Sequence, residues 1–293
     1  MAPEQSTSKA AAWMAGSIAC FLVMSIAGRA TTAELDVVQV MEMRSIIGLL
    51  MILPLVQMEG GFSAMRTQRP LVHLSRNVAH YAGQFAWLYA LTLIPLAELI
   101  SIEFTAPFWT ALLAMIFLGE RMNRRKVGAI ALGLVGVLII VRPGVQEAQT
   151  GHLVMLGGAV MFAISIVLVK AMTRTESTVR IIFWMLVIQS LIGLVPMLIV
   201  WRTPSAELWP WILLIAFTGT FSHYCLTRAL ACADTMVVVP MDFLRVPLSA
   251  LIGFLLYSEQ IDAWVAGGAA LILFGNLLNL QRRQAKSEVP ERP

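Results

Sequence analysis

Residues 103–120 read Glu-Phe-Thr-Ala-Pro-Phe-Trp-Thr-Ala-Leu-Leu-Ala-Met-Ile-Phe-Leu-Gly-Glu, an apolar run between two carboxylates with a proline near its start. The pattern returns 139 residues later, at 242–259, as Asp-Phe-Leu-Arg-Val-Pro-Leu-Ser-Ala-Leu-Ile-Gly-Phe-Leu-Leu-Tyr-Ser-Glu. The alignment then continues without a gap and pairs Gly136 with Gly275. Weak internal symmetry of this kind indicates that the chain contains a duplicated unit.

The composition around this repeat is that of a membrane protein. Apolar residues make up 58% of the 293 residues and charged residues only 13%, and the mean hydropathy is +0.79. A helix crosses a bilayer with about 20 apolar residues. Blocks of that length predict an all-α polytopic protein with ten spans, at 11–28, 37–57, 71–94, 97–118, 127–141, 152–170, 179–201, 209–231, 235–257 and 263–281.

The basic residues orient these spans. In a ten-span chain nearly all Lys and Arg outside the spans fall on one side, and the loops of the other side hold only Arg29, Arg142 and Arg202. Positive charge marks the cytoplasmic side, so both termini are predicted to be cytoplasmic. The net charge of +4 therefore reports topology, and we expect no nucleic-acid partner.

Ten spans divide into two halves of five, and an odd number per half gives the halves opposite orientations. The loop after Glu120 is Arg-Met-Asn-Arg-Arg-Lys, whereas the loop after Glu259 is Gln-Ile-Asp-Ala, without a base. Inverted repeats are the architecture of secondary transporters. We therefore predict a first repeat at 11–144, a second repeat at 150–283 and a cytoplasmic tail at 284–293.

The repeat alignment places two carboxylates at equivalent positions. Glu103 and Asp242 each lie about one turn before a proline, and ionisable groups inside a span are costly enough to suggest function. Arg245 follows Asp242 by one turn, so it either neutralises that carboxylate or binds a carboxylate of the substrate. Proline frees a backbone carbonyl, which predicts interrupted or kinked fourth and ninth spans at Pro107, Pro240 and Pro247.

Span three carries a polar stripe on an otherwise apolar helix. The stripe runs at helical spacing and Trp87 continues it, so this face is predicted to look inward. Either its histidines are packed hydrogen-bonding residues or its deeper members contact a substrate. The stripe consists of His73, Asn77, His80 and Gln84, and span eight has a weaker counterpart in His223 and Tyr224.

Two further features have structural interpretations. Glu42 and Arg44 are two residues apart and face different directions, so Arg44 is expected to pair with a carboxylate of another helix. The glycines of spans five and ten, including Gly136, Gly267 and Gly268, predict close helix packing. These two spans are therefore interpreted as supports of the fold and not as cavity walls.

Residues 117–144, Phe-Leu-Gly-Glu-Arg-Met-Asn-Arg-Arg-Lys-Val-Gly-Ala-Ile-Ala-Leu-Gly-Leu-Val-Gly-Val-Leu-Ile-Ile-Val-Arg-Pro-Gly, resemble the repeat signature of the EamA family in the drug/metabolite transporter superfamily. Residues 89–98 and 105–108 are similar to the family's third and fourth helices. The second copy departs from the pattern at 257–260 and at Arg228. The resemblance implies two inverted five-helix repeats around a central cavity, and export of small metabolites across the bacterial inner membrane. The chain as a whole looks like the amino-acid exporter branch, which includes transport of aromatic amino acids.

These observations lead to a hypothesis of amino-acid export by alternating access, in a protein that acts as a monomer in the bilayer without a cofactor. Arg245 would meet the substrate carboxylate and Glu103 or Asp242 its ammonium, within a cavity formed by His80, Gln84, Glu103, Phe104, His223, Tyr224, Asp242 and Arg245. Export of cationic drugs or other metabolites is the alternative. A membrane enzyme is a remote one, because the chain has no phosphate-binding loop, nucleophile elbow or clustered metal ligands. Proton coupling through His80, Glu103 or Asp242 is left open.

Overall fold

The computed structural model describes residues 7–106, 108–110, 112–113, 124–141, 150–172, 175–232, 241–242, 244–260 and 262–287. Within these ranges the fold consists of ten α-helices and two short 3₁₀ turns, at Phe62–Met65 and Ala206–Leu208, which confirms the all-α prediction. The helices are α1 Thr7–Thr32, α2 Val37–Met58, α3 Pro70–Leu91, α4 Leu96–Glu103, α5 Arg124–Val141, α6 Thr150–Met172, α7 Thr178–Val200, α8 Trp209–Cys232, α9 Arg245–Tyr257 and α10 Ala263–Ser287.

Polar caps begin the second helix of each half. The side chain of Asp36 accepts a hydrogen bond from the backbone of Val38 at the start of α2. Ser177 does the same for Arg180 at the start of α7. Each cap satisfies one of the free N–H groups at a helix N-terminus. Both helices then continue through a proline, Pro54 in α2 and Pro196 in α7, so the halves share this local design.

Four of the described helices, α1, α2, α6 and α7, are long and apolar enough to cross a membrane by length and composition. Shorter apolar helices occur within α5, α9 and α10. Helix α3 has 22 residues but carries the polar stripe. An apolar helix of bilayer length belongs in lipid, whereas a polar face must be covered by protein or line a cavity.

The main helix contacts join the two halves. They pair α1 with α8, α3 with α6, α2 with α7, α4 with α9 and α5 with α10. Exchanging each helix for its counterpart five places along the chain converts α1–α8 into α6–α3 and returns the other three pairs to themselves. The contacts thus have the pseudo-two-fold symmetry expected of two repeats, and each half is buried largely against the other.

Glycine determines how closely α5 and α10 approach. A Cβ added to Gly136 would lie 2.7 Å from the carbonyl oxygen of Gly268, and one added to Gly268 would lie 2.6 Å from the carbonyl oxygen of Gly136. The predicted close packing is confirmed at these two positions. At Gly128 and Gly267, by contrast, an added Cβ meets nothing within 4 Å, so these two glycines are not needed for the approach.

Both repeats are interrupted at equivalent positions. Helix α4 ends at Glu103, the backbone of Phe104 and Thr105 forms a turn, and helical structure resumes at Ala106. In the second half Asp242 is helical, Leu244 lies in a turn and α9 begins at Arg245. The predicted interruption of the fourth and ninth spans is therefore present.

The prolines relate to these breaks differently from the prediction. Pro247 is the third residue of α9, where its missing N–H would have no intrahelical partner to lose. It accommodates the beginning of a helix and does not bend a continuous one. Pro107 and Pro240 lie outside the described residues.

Candidate functional site

The two interruptions meet at Arg245. Its Nη1 donates to Oε1 of Glu103 at 3.0 Å and its Nη2 donates to Oδ2 of Asp242 at 2.7 Å. The side chains of Arg245, Glu103 and Asp242 are 10%, 15% and 26% exposed, respectively. The predicted pair between Asp242 and Arg245 is thus present, and the structure adds a carboxylate from the other half. The charge of a buried cation between two carboxylates is well compensated, whereas the charge of Arg245, Glu103 or Asp242 alone would not be.

Aromatic rings enclose this ion-pair cluster. The Cζ of Arg245 lies 4.2 Å from the ring centre of Phe21 and 4.8 Å from that of Phe104, within cation–π distance. The indole of Trp87 packs edge-on against Phe21, and its Nε1 donates to Oε2 of Glu103 at 2.8 Å. Both oxygens of Glu103 are therefore held by donors. The sequence singled out Phe104 but missed Phe21, because an aromatic residue in an apolar span carries no distinguishing signal.

A second group of polar side chains lies nearer the N-terminal end of α3 than Trp87 does. His80 is buried, and its Nδ1 lies 2.9 Å from Nε2 of Gln189 on α7. Its ring also contacts Phe162 and His223, with ring centres 5.7 and 6.0 Å away. The structure thus brings His80 and His223 together as predicted. Gln189 was missed, although the rule used for His80, a polar residue inside an apolar span, applies to it equally.

Gln84 and Tyr224 have different surroundings. Gln84 is 9% exposed, and its Oε1 has no hydrogen-bond donor among the described residues. An unsatisfied buried acceptor favours contact with a ligand or with water. Tyr224, by contrast, packs edge-on against Trp13 of α1 and stacks on Phe221. Its ring therefore lies in the α1–α8 interface.

Among the described residues Arg44 does not have the expected carboxylate partner. Its Nη1 instead lies 3.9 Å from Sδ of Met24. The prediction of an interhelical ion pair was therefore wrong for the described part of the chain. Arg76, also buried, donates to Oδ1 of Asn77 at 2.6 Å. The spacing of Glu42 and Arg44 could not reveal these partners, because helix packing selects them.

Among the described residues, the buried arginines around the site are not outnumbered by carboxylates. Three arginines and three carboxylates are buried or partly buried here: Arg44, Arg76, Arg245, Glu42, Glu103 and Asp242. The set is neutral with Glu42 ionised and carries one positive charge with Glu42 protonated, and in either state it suits an uncharged or zwitterionic ligand. It offers no excess negative charge for a cation.

The face that carries the α3–α4 and α9–α10 connections is bridged across the halves. Glu259 pairs with Arg29 and accepts the backbone N–H of Leu96 at 3.0 Å. Arg29 also donates to the carbonyl oxygens of Leu91 and Ile94, at 3.2 and 2.9 Å, and lies over the ring of Tyr257. Tyr257 and Glu259 lie in the stretch 257–260, where the second repeat departs from the family pattern. Both take part in this bridge between the halves.

Carboxylate–hydroxyl bridges lie at both faces. In the α1–α2 connection Glu34 accepts from the backbone N–H and the hydroxyl of Ser205, each at 2.8 Å, and these bonds lower the pKa of Glu34. At the opposite face Glu176, in the α6–α7 connection, accepts from Thr67 at 2.7 Å and pairs with Arg180. Exchanging the two repeats converts the α1–α2 to α7–α8 bridge into the α6–α7 to α2–α3 bridge. The fold is therefore tied at both ends of the polar stripe.

The comparisons with known proteins agree with this architecture. The EamA-like transporter family matches residues 8–142 and again residues 149–281. A riboflavin transporter of Rhizobium johnstonii is 31% identical over 231 residues, which cover 78% of this chain and 76% of the relative. An S-adenosylmethionine uptake transporter of Rickettsia prowazekii is 24% identical over 213 residues, covering 73% and 72%.

A solved crystal structure supports the fold alone. It superposes with a TM-score of 0.66 at 20% identity and covers 95% of this chain and 99% of its own. The two family matches cover almost the entire chain, one for each half, and the relatives named are transporters of metabolites and not enzymes. From its repeats, its helix pairing and these matches, the chain is a member of the EamA-like transporter family.

Proposed function

We propose that this chain is a secondary transporter of an uncharged or zwitterionic aromatic metabolite, with a riboflavin-like flavin as the first candidate. Support comes from the relative in Rhizobium johnstonii, which is named a riboflavin transporter. It comes also from the lack of excess negative charge among the buried side chains of the described helices. A flavin is planar and uncharged and has a polar edge, which suits aromatic neighbours together with unsatisfied amide groups.

The observation that carries the proposal is the bridge from Glu103 through Arg245 to Asp242. It joins the two interrupted helices, α4 and α9, and is lined by Phe21, Phe104 and Trp87. Transporters with inverted repeats place the substrate near the bilayer midplane, between broken helices, and rock one repeat against the other. A ligand next to this bridge would contact both repeats at once.

A second candidate is an aromatic or large neutral amino acid. Arg245 already binds carboxylates through two of its nitrogens, so a substrate carboxylate can replace one of them at little cost in geometry. The released Glu103 or Asp242 would then accept the substrate ammonium, and His80 and Gln84 would face its polar edge. Cationic drugs are disfavoured, because the buried side chains of the described helices carry no net negative charge.

The proposal includes the setting of the protein. The chain would act as a monomer in the bacterial inner membrane with both termini in the cytoplasm, as the distribution of Lys and Arg predicts. Export stays a prediction. The relative in Rickettsia prowazekii is named for uptake, so the direction has to be measured.

Counterflow in reconstituted vesicles tests the function without any driving force. Vesicles loaded with unlabelled riboflavin should transiently accumulate labelled riboflavin from outside, and empty liposomes should not. Labelled tryptophan and phenylalanine test the second candidate, and a permanently charged cation tests the disfavoured alternative of cationic drugs. Accumulation of the amino acids without riboflavin would select the second candidate, and counterflow of none of these compounds would refute the proposal.

A further inference from the structure

Glu42 is the buried carboxylate that the ion-pair cluster does not use. It lies on α2 with 0% of its surface exposed. Neither of its oxygens has a hydrogen-bond or ion-pair partner among the described residues. Arg44, two residues further on, contacts Met24 instead. An ionised carboxylate in such a place costs several kcal/mol, and proteins therefore neutralise it.

The surroundings of Glu42 come from both halves of the chain. A Cβ at Gly193 of α7 would overlap Oε2 of Glu42 and lie 2.9 Å from the hydroxyl of Tyr81 on α3. The absence of a side chain at Gly193 thus leaves room beside α7 for both the carboxyl and the phenol. The Tyr81 hydroxyl likewise has no partner among the described residues.

The other titratable and charged groups on the neighbouring helices contact other residues. On α3 Arg76 binds Asn77, and His80 binds Gln189 of α7. On α8 the ring of His223 lies against His80. Within the described residues none of these bases forms a hydrogen bond or an ion pair with Glu42. Neutralisation therefore has to come from an exchangeable cation or a proton.

The contacts favour a proton. A carboxylic acid carries no charge and needs no counterion, and the hydroxyl of Tyr81, which has no partner among the described residues, lies beside Gly193 as Oε2 of Glu42 does. A hard metal cation needs six or more oxygens, as the geometries of Mg²⁺ and Ca²⁺ illustrate. In the described residues no cluster of His, Cys, Asp and Glu is suited to a metal.

We propose that Glu42 binds the coupling proton of this transporter, at the α2–α7 contact where one repeat slides against the other. The inference rests on the proposed function. Glu42 takes up one proton from the aqueous phase on one side, carries it as a carboxylic acid while buried, and releases it to the other side when rocking separates α2 from α7. The carboxyl O–H forms and breaks once per cycle, and no other bond changes.

Flux measured with and without an imposed pH gradient tests the inference. For one proton per substrate, each pH unit supplies about 1.4 kcal/mol, or about tenfold in substrate accumulation. We expect the gradient to drive accumulation by the wild-type protein. Glu42→Gln, which has a similar shape and no titratable proton, should retain counterflow and lose the response to the gradient. Glu207→Gln removes an exposed carboxylate and should leave the response unchanged.

The outcomes are distinguishable from a failure of the proposed function. Counterflow of none of the tested compounds refutes the function itself. Counterflow with equal flux at every pH gradient, a requirement for Na⁺ instead, or a retained gradient response in Glu42→Gln overturns the proton inference alone. If Glu42→Gln does not fold, proton uptake or release on substrate binding by the wild-type protein decides. A pH-indicator dye should report it, and its absence overturns the inference.

Discussion

Nη1 of Arg245, the first residue of α9, lies 3.0 Å from Oε1 of Glu103, the last residue of α4. The two residues are 142 positions apart and belong to different repeats. Because α4 and α9 are counterparts, the ion pair joins the two interruptions close to the axis that relates the halves. Any rocking of the halves has to preserve this contact, break it or replace it with a ligand.

Removing the cation should affect both folding and transport. Arg245→Ala leaves Glu103 and Asp242 as uncompensated carboxylates, which typically costs about 3–5 kcal/mol for a buried pair. We expect a lower melting temperature in detergent and a loss of counterflow. Arg245→Lys retains the charge but cannot reach both carboxylates in the same fork geometry, so it should recover stability more than flux. Wild-type counterflow in Arg245→Ala would contradict the assignment.

The indole donor on Glu103 can be removed while the ring is retained. Trp87→Phe deletes the bond from Nε1 to Oε2 of Glu103, and hydrogen bonds to charged groups contribute about 1.5–3 kcal/mol. Substrate affinity in a binding titration should therefore weaken by roughly tenfold or more. Trp109→Phe is the matched control, because Trp109 donates only to the neutral hydroxyl of Thr105. Equal effects of the two variants would argue against a role for Glu103.

The closure at Glu259 should govern access from its face. Glu259→Gln can still accept the N–H of Leu96 but no longer pairs with Arg29, so the halves should separate there more often. In a variant with Cys20, Cys225 and Cys232 replaced by serine, a cysteine at the buried position Ile94 reports access. Its labelling rate by an impermeant maleimide should rise several-fold in Glu259→Gln, and an unchanged rate would show that the pair is not a closure.

Two adjacent glycines of α10 provide a matched test of the helix contact. Gly268→Ala places a methyl group against the backbone of α5, and overpacking of this kind costs about 1–3 kcal/mol. Gly267→Ala meets nothing within 4 Å and should be neutral, or stabilising by up to about 1 kcal/mol. Melting in detergent should separate the two variants. Equal melting temperatures would mean that α5 and α10 do not pack at Gly268.

Gly193 tests the space that holds Glu42. In Gly193→Ala the methyl group takes the space of the Glu42 carboxyl and displaces it, so the response of flux to a pH gradient should weaken while counterflow persists. Gly157→Ala, on α6, adds a methyl group with no neighbour within 4 Å and serves as the control. A gradient response in Gly193→Ala equal to that of the control would remove Gly193 from the coupling site.

Prediction from the sequence succeeded where the signal is local or repeated. The stripe from His80 to Trp87 follows from helical spacing, and the equivalence of Glu103 and Asp242 follows from the internal alignment. It failed for Arg44, whose expected carboxylate is not among its described contacts, and it missed Phe21 and Gln189. Phe21 and Gln189 acquire their roles from helices of the other half, and Arg44 from its packing against α1 of its own half.

The sequence by itself determined the class of the fold, the number of spans and the division into two repeats. Those properties depend on the lengths of apolar runs and on the recurrence of a pattern, and neither requires knowledge of a contact. Only the tertiary structure decided that Arg245 binds both carboxylates, that Glu259 ties Arg29 to Leu96, and that Glu42 is left without a partner among the described residues. The physical reason is that helix packing across the halves joins residues more than 100 positions apart, and it selects among polar groups that look alike in a single span.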